Sequence, residues 1–137
     1  MKKIDSINSI NTLQALFHIY QCMCFIERYA LRILKVEMTV RPDSQLTDGL
    51  IFKFIQLRED FLDLDRNVIN NNPNLKREYM KLLRIRNLAA HHYRTRKASL
   101  CQKVSEIDVV YIKELILEEI RKFDIRDEDI EKYLNDS

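Results

Sequence analysis

The amino-acid sequence predicts an all-α protein, an up-and-down four-helix bundle with a short fifth helix at the C-terminus. The chain of 137 residues contains one glycine and two prolines, too few turn-forming residues for a sheet of many strands. Hydrophobic residues form 46% of it, enough for a core without crosslinks or a bound metal. Apolar residues recur at helical spacing through most of the chain. We therefore expect one domain over residues 1–137.

The first predicted helix runs from about Asn8 to Lys35 and is apolar around much of its circumference. One apolar line comprises Ile10, Leu13, Phe17, Tyr20 and Cys24, and a second comprises Leu16, Ile19, Met23, Ile26, Ala30 and Ile33. So wide a stripe is typical of a helix at the centre of a bundle or at a contact with a second subunit. Pro42 ends the pattern, because proline disfavours helical geometry in the residue before it.

The second predicted helix begins near Ser44 or Thr47 and shows the clearest periodicity in the chain. Its apolar residues alternate steps of four and three along one face. They are Leu50, Phe54, Leu57, Phe61, Leu64 and Val68. The helix is expected to stop at the asparagine-rich run 70–74, whose residues favour turns over helix interiors.

Three further helices complete the predicted bundle. The third carries on its inward side Leu75, Tyr79, Leu82, Ala89 or Ala90, and Tyr93. The fourth runs from about Ser105 or Asp108 to Phe123 and buries Val109, Ile112, Ile116, Ile120 and Phe123. The fifth covers about Asp127 to Leu134, where acidic residues suit a helix start because the helix dipole favours negative charge there.

The formal net charge of +2 hides an uneven distribution along the chain. From Lys76 to Lys97, eight basic residues accompany one acidic residue, a local charge of +7. From Ser105 to Ser137, five basic residues accompany eleven acidic ones, a local charge of −6. The basic segment would attract a polyanion such as RNA, although an ordinary solvated helix face would have the same composition.

Arg86 occupies a position that the apolar pattern of the third helix assigns to a buried residue, one heptad after Tyr79. A guanidinium near a core needs an anionic partner, because uncompensated burial of a charge costs several kcal/mol. A carboxylate of the second helix, Glu59, Asp60 or Asp63, could supply that partner. Alternatively, the site could be built to receive a phosphate.

The stretch from Arg86 to Tyr93 reads Arg-Asn-Leu-Ala-Ala-His-His-Tyr. It resembles the signature of the HEPN superfamily, which is an arginine, usually a polar residue, a short spacer and a histidine. With Tyr93 two places after His91, it is similar to the form found in HEPN toxins paired with minimal nucleotidyltransferase antitoxins. The chain length and the helix count also resemble a complete single-domain member of that superfamily.

The resemblance implies a role for each matched residue. Arg86 and His91 would be the catalytic residues, Asn87 the supporting polar residue, and Tyr93 the tyrosine that the antitoxin modifies with adenylate. His92 also lies within the permitted spacing as a supporting or alternative histidine, although Tyr93 favours His91. The implied protein is a metal-independent endoribonuclease toxin without a cofactor, a homodimer with a nucleotidyltransferase antitoxin as a possible partner.

The residue types also suit RNA cleavage on chemical grounds. The 2′-hydroxyl of RNA is an internal nucleophile, so the protein needs a group that moves protons and a cation that holds the phosphate. An imidazole titrates near neutral pH and could serve as the first, and Arg86 could stabilise the phosphorane. The candidates for contacts with the rest of the RNA are Arg84, Arg94, Arg96 and Lys97. DNA lacks the 2′-hydroxyl and should resist cleavage.

Helix geometry limits how Arg86 and His91 could act on the same phosphate. Arg86 and His91 are separated by about 140° around an ideal helix, so one straight helix does not easily direct both at one phosphate. Either the helix distorts near Ala89 and Ala90, or two copies of the motif share a cleft across a twofold axis. The second arrangement resembles the family's dimer and would also account for the wide apolar surface of the first helix.

Other functional classes are less well supported by the sequence. His18 and Cys22 have a spacing that could place two ligands on a metal, but no further ligands follow at zinc-like spacing, so no metal site is expected.

There is no glycine-rich phosphate loop, no apolar run of membrane-spanning length and no signal peptide, which favours a cytoplasmic protein without a membrane partner. Cys22 and Cys24 are too close for an easy disulfide. The main alternative is a non-catalytic HEPN module that binds a nucleotide or a nucleotidyltransferase.

Overall fold

The computed structural model describes residues 6–32, 45–92 and 103–135, and within these ranges all regular structure is helical and no strand occurs. The all-α prediction is therefore confirmed for the part of the chain that is described. The helices are α1 (Ile7–Arg32), α2 (Gln45–Leu62), α3 (Arg66–Asn70), α4 (Pro73–His92), α5 (Val109–Arg121) and α6 (Asp127–Asn135). None of the described helices is long and apolar enough to cross a membrane.

Helix α1 packs against three of the other described helices. It packs against α2 on one side and α5 on the other, and it also contacts α6. Four residues of the second predicted apolar line are completely buried, namely Leu16, Ile19, Met23 and Ile26, and the side chains of its other two members, Ala30 and Ile33, lie outside the described residues. The first line flanks this face, with Leu13 buried and Ile10 exposed. The wide apolar stripe is thus largely covered within one chain, and it does not by itself require a second subunit.

The second predicted helix is in fact two helices, and the prediction that one helix continues through Val68 is wrong. Helix α2 ends at Leu62, and α3 begins after Asp65. The Oδ1 atom of Asp65 accepts the Asn67 N–H at 2.9 Å and caps α3, while the Asp65 N–H donates to Oγ1 of Thr12 on α1 at 3.0 Å. The backbone donor that would continue α2 is therefore used by α1. The predicted apolar face is nevertheless buried along its whole length.

The start of α4 is fixed by a cap that α5 holds in place. The side chain of Asn72 accepts the Leu75 N–H at 3.1 Å, and Pro73 occupies the first helical position, where its missing N–H is not needed. The Asn72 amide also donates to Oε1 of Glu119 at 2.9 Å. Glu119 is buried, and Lys122 balances its charge at 2.8 Å. The direction of α4 after this turn is therefore set by its contact with α5.

The buried face of α4 is rotated relative to the prediction. Leu75 and Leu82 are buried as expected, but Ile85 and Glu78 are buried as well, and Tyr79 is only partly buried. The Tyr79 ring packs against Phe61 of α2, with the ring centroids 4.7 Å apart. Tyr79 and Arg86, which are one heptad apart, therefore lie on the flank of α4 beside α2 and not at the centre of its buried face. The side chains of Ala89 and Ala90, and Tyr93, lie outside the described residues.

The two C-terminal helices agree closely with the predicted periodicity. Ile112, Ile116, Ile120 and Phe123 are buried, whereas Val109 is only partly buried. Helix α5 itself ends at Arg121, so Phe123 fills the core from the segment after the helix. The Asp108 side chain caps α5 by accepting the Tyr111 N–H at 3.1 Å. Helix α6 has three acidic residues in its first turn, as the dipole argument predicts.

Candidate functional site

Arg86 lies on the flank of α4 that faces α2, at a narrow cleft between the two helices. The cleft is lined by Leu57, Arg58, Phe61, Tyr79, Leu82, Leu83 and Arg86. The guanidinium Nε of Arg86 is buried and has no hydrogen-bond partner among the residues that the structure describes. Its Nη1 donates to Oδ1 of Asn87 at 3.1 Å, so Asn87 orients the guanidinium without neutralising it.

The carboxylates of α2 that could have neutralised Arg86 are engaged elsewhere or lie apart from it. Glu59 is 3.8 Å from Arg58, and Asp60 is 4.0 Å from Nδ1 of His18 on α1. Asp63 is exposed at the end of the helix. Within the described ranges, no carboxylate lies at ion-pair distance from Arg86. The alternative in which a carboxylate of α2 neutralises Arg86 is therefore not seen within the described ranges.

The structure adds Arg58 of α2 to this site, which the sequence reasoning missed. Its side chain lines the same cleft as Arg86, and no acidic residue belongs to that lining. The signal was present, because Arg58 follows the buried Leu57 and therefore lies at the edge of the buried face of its helix. Arg58 also lies 3.8 Å from Glu59, and the cleft itself has no room for a water molecule, so a phosphate could contact the two arginines only at its surface.

Arg84 lies on a different flank of α4 from Arg86. Two residues correspond to about 200° around a helix, so the two side chains point in nearly opposite directions. Arg84 lines a small cavity together with Lys81 and Lys103, where Glu106 is also present. Arg84 therefore lies on a separate basic surface from Arg86, and its predicted contact with RNA stays a prediction.

Helix α4 continues without a break through His92, and it includes Ala89 and Ala90. Its backbone therefore places His91 about 140° around the axis from Arg86, as in an ideal helix. The helical break near the two alanines that would have brought both residues together on one helix is not seen. The side chains of His91 and His92 lie outside the described residues. The same is true of Tyr93, Arg94, Arg96 and Lys97.

Asp60 is a buried carboxylate of α2 on the side away from Arg86. Burial raises its pKa above the ordinary value of 3.8, and the nearby His18 imidazole opposes this rise. The native protein therefore holds the Asp60 proton more tightly than the unfolded chain. The contribution of Asp60 to stability is greatest below pH 3.8 and is lost as the pH rises through the raised native pKa.

We expect the substitution Asp60→Asn to increase the free energy of unfolding at pH 7, by about 1 kcal/mol, because it removes a charge that burial disfavours. Urea unfolding at pH 7 and pH 3 measures the effect, which should shrink at pH 3. The control Asp124→Asn changes an exposed carboxylate and should alter stability by less than about 0.5 kcal/mol at either pH. A loss of stability in Asp60→Asn at pH 7 would show that the contact with His18 outweighs burial.

Comparisons with protein-family models, with curated protein sequences and with solved structures find no match for this chain.

Proposed function

We propose that this protein is a toxin-type endoribonuclease that cleaves RNA without a metal ion, with Arg86 and His91 meeting at a cleft between two copies of the chain. The observation that carries the proposal is the Arg86 guanidinium, which is partly buried, has a buried Nε without a described partner, and has no carboxylate at ion-pair distance within the described ranges. The HEPN-like signature that contains Arg86 and His91 supports the same assignment.

The proposed reaction is an internal transfer at phosphorus. The 2′-oxygen of the ribose attacks the adjacent phosphorus and loses its proton, and the bond from phosphorus to the 5′-oxygen of the next nucleotide breaks. The products are a 2′,3′-cyclic phosphate and a free 5′-hydroxyl. Arg86 and the neighbouring Arg58 stabilise the negative charge on the non-bridging oxygens, and His91 transfers the proton.

A homodimer is part of the proposal because one copy of α4 holds the two residues apart. The helix is continuous through His92, and Arg86 and His91 are about 140° apart on it. A twofold axis would bring His91 of one copy to Arg86 of the other. His92 would support this site, and RNA on either side of the cut would contact Arg94, Arg96 and Lys97.

The HEPN-like signature also implies a substrate, a compartment and a partner. RNA is the substrate, the cytoplasm is the compartment, and a nucleotidyltransferase antitoxin is the partner that would modify Tyr93. Arg84 would contact RNA away from the cleavage site, because it lies on the opposite flank of α4 from Arg86. The same resemblance supports a HEPN-like arrangement of the four helices α1, α2, α4 and α5. Helices α3 and α6 would then be additional to those four.

The test compares Arg86→Gln with the matched variant Arg84→Gln, which removes the same charge from the same helix. On single-stranded RNA in the presence of a chelator, Arg86→Gln should lower the cleavage rate by about 10²–10³-fold, because it removes a preorganised cation from the phosphorane. Arg84→Gln should change the rate by less than about tenfold, because a distant charge affects mainly association. Equal rates for Arg86→Gln and the parent would refute the assignment.

The shared cleft is tested by mixing two inactive variants. Arg86→Gln and His91→Ala are each expected to be inactive as homodimers, but their mixed dimer contains one site in which both residues are intact. After exchange of subunits, the mixture should recover about a quarter of the parent activity if exchange is random and each site works independently. A mixture as inactive as its components would place both residues in a site within one chain.

Binding without cleavage is the second candidate. It is favoured by the described lining of the cleft, which contains two guanidinium groups but no imidazole and no carboxylate. In this case, the protein would be a HEPN module that holds a nucleotide or docks on a nucleotidyltransferase. Parent protein that binds RNA or ATP and leaves RNA intact between pH 5 and 9 would favour this function over cleavage.

A further inference from the structure

A second site lies between α1 and α2, on the flank of α2 away from Arg86. It is a cavity of about 320 Å³, and its polar lining consists of His18, Gln21, Arg28, Lys53, Gln56 and Asp60. Lys53 and Arg58 are five residues apart, about 140° around the helix, so this cavity and the arginine cleft open on different sides of α2. Its volume lies at the lower end of the range of about 300–1,000 Å³ for pockets that hold small molecules.

The charges of the cavity are not balanced internally. Lys53 and Arg28 both line it, and among the described residues neither has a carboxylate at ion-pair distance. The Lys53 ammonium lies 5.2 Å from the centre of the Phe25 ring, which holds it at the cavity. The single carboxylate is Asp60, whose side chain is 12% exposed and faces His18 at 4.0 Å. With Asp60 ionised, the two cations Lys53 and Arg28 leave the cavity with a net charge of +1.

The cavity does not have the ligands of a metal site, and its buried thiol is not a nucleophile at neutral pH. Within the described ranges, no group of three or more histidine, cysteine or acidic side chains could hold a metal ion. Burial raises the pKa of the Cys22 thiol to about 12, although Lys53 opposes the rise. The thiol therefore stays protonated at neutral pH, and its Sγ lies 3.5 Å from the Lys53 carbonyl oxygen, to which it donates. The polar groups left in the lining are the cations Lys53 and Arg28, the amides of Gln21 and Gln56, the His18 imidazole and the partly buried thiol of Cys24.

We propose that this cavity binds a small phosphate monoester, with Lys53 and Arg28 contacting the phosphate oxygens and the amide of Gln56 donating to it, while the Gln21 amide donates to the Tyr133 carbonyl oxygen at 3.4 Å. A phosphate monoester carries a charge of about −1.5 to −2 at pH 7 and has three acceptor oxygens, so it matches two unpaired cations better than a carboxylate does. The Phe25 ring offers a surface for the apolar part of the ester. The site is independent of the proposed nuclease activity.

The experiment titrates the full-length protein with phenyl phosphate and follows the amide NMR signals of the cavity residues, including the side-chain amides of Gln21 and Gln56. Saturable shifts confined to this cavity are expected. Lys53→Gln should weaken binding by about tenfold or more, because it removes a charged hydrogen-bond donor. The matched control Lys76→Gln removes the same charge from an exposed position on α4 and should leave the affinity within about twofold of the parent.

Two further titrations show which part of the ligand the cavity recognises. Titration with inorganic phosphate shows whether the anion alone is recognised, and titration with benzoate should give at least about tenfold weaker binding because its charge is smaller. An absence of saturable shifts with both phosphate probes would overturn the proposal. Equal weakening by Lys53→Gln and Lys76→Gln would also overturn it, because nonspecific attraction would then explain the binding. Lys53→Gln should leave RNA cleavage unchanged, so this test is separate from that of the nuclease.

Discussion

Replacing His91 by alanine is expected to lower the rate of RNA cleavage by about 10²–10⁴-fold, the usual contribution of a side chain that transfers a proton in the transition state. Neither removal of the 2′-hydroxyl proton nor protonation of the leaving oxygen would then be assisted by the protein. Single-turnover cleavage of a labelled single-stranded RNA measures the effect. Helix content should remain that of the parent, because the substitution changes one residue near the end of α4.

The neighbouring histidine provides the control for this prediction. His92→Ala changes an identical side chain one position further along α4, and we expect it to reduce cleavage by less than about tenfold. The comparison also decides between the two histidines that the spacing from Arg86 allows. Cleavage by His91→Ala at the parent rate would contradict the proposed role of His91, and a large loss confined to His92→Ala would transfer that role to His92.

The largest expected effect on stability comes from Phe54→Ala in the middle of α2. Phe54 is 1% exposed and belongs to the core that α1 and α2 share. Its truncation removes buried aromatic surface and leaves a cavity, so the free energy of unfolding should fall by about 3–5 kcal/mol. Urea unfolding monitored by circular dichroism measures the change, with a lower midpoint and an unchanged slope.

Phe52 offers a matched control on the same helix. It is the same residue type two positions earlier, but it is 61% exposed. Phe52→Ala should change the free energy of unfolding by less than about 0.5 kcal/mol, because little buried surface is lost. Equal destabilisation by the two substitutions would mean that Phe52 is buried in the protein in solution, for example against a second copy.

The apolar periodicity predicted the buried faces well but not the point where a helix ends. Leu64 and Val68 were correctly assigned to the core, yet the chain between Leu62 and Asp65 leaves helical geometry. The Asp65 N–H donates to Thr12, a residue 53 positions earlier in the sequence. A pattern read along one segment contains no information on such a distant partner. The apolar pattern alone therefore could not locate the break, although the capping residue Asp65 marks it.

The candidate site was predicted in part for a similar reason. Arg86 stood out because a charged residue fell on an apolar stripe, and the described structure keeps it partly buried without a carboxylate partner. Arg58 was not predicted, because the expected neighbours of Arg86 on α2 were carboxylates. Glu78 was also unexpected in the core, where it is 4% exposed and pairs with Lys81 at 3.2 Å. Each of these outcomes depends on how α4 is rotated against α2.

The cap at the start of α4 has a consequence for the order in which the protein opens. Because Asn72 accepts the Leu75 N–H and donates to Glu119, the contact with α5 holds the capping side chain of α4 in position. Loss of that contact should therefore weaken the cap and let the Leu75 amide hydrogen exchange with deuterium more readily. The two helices would behave as one cooperative unit, and a substitution at Glu119 would speed exchange in the helix that bears Arg86.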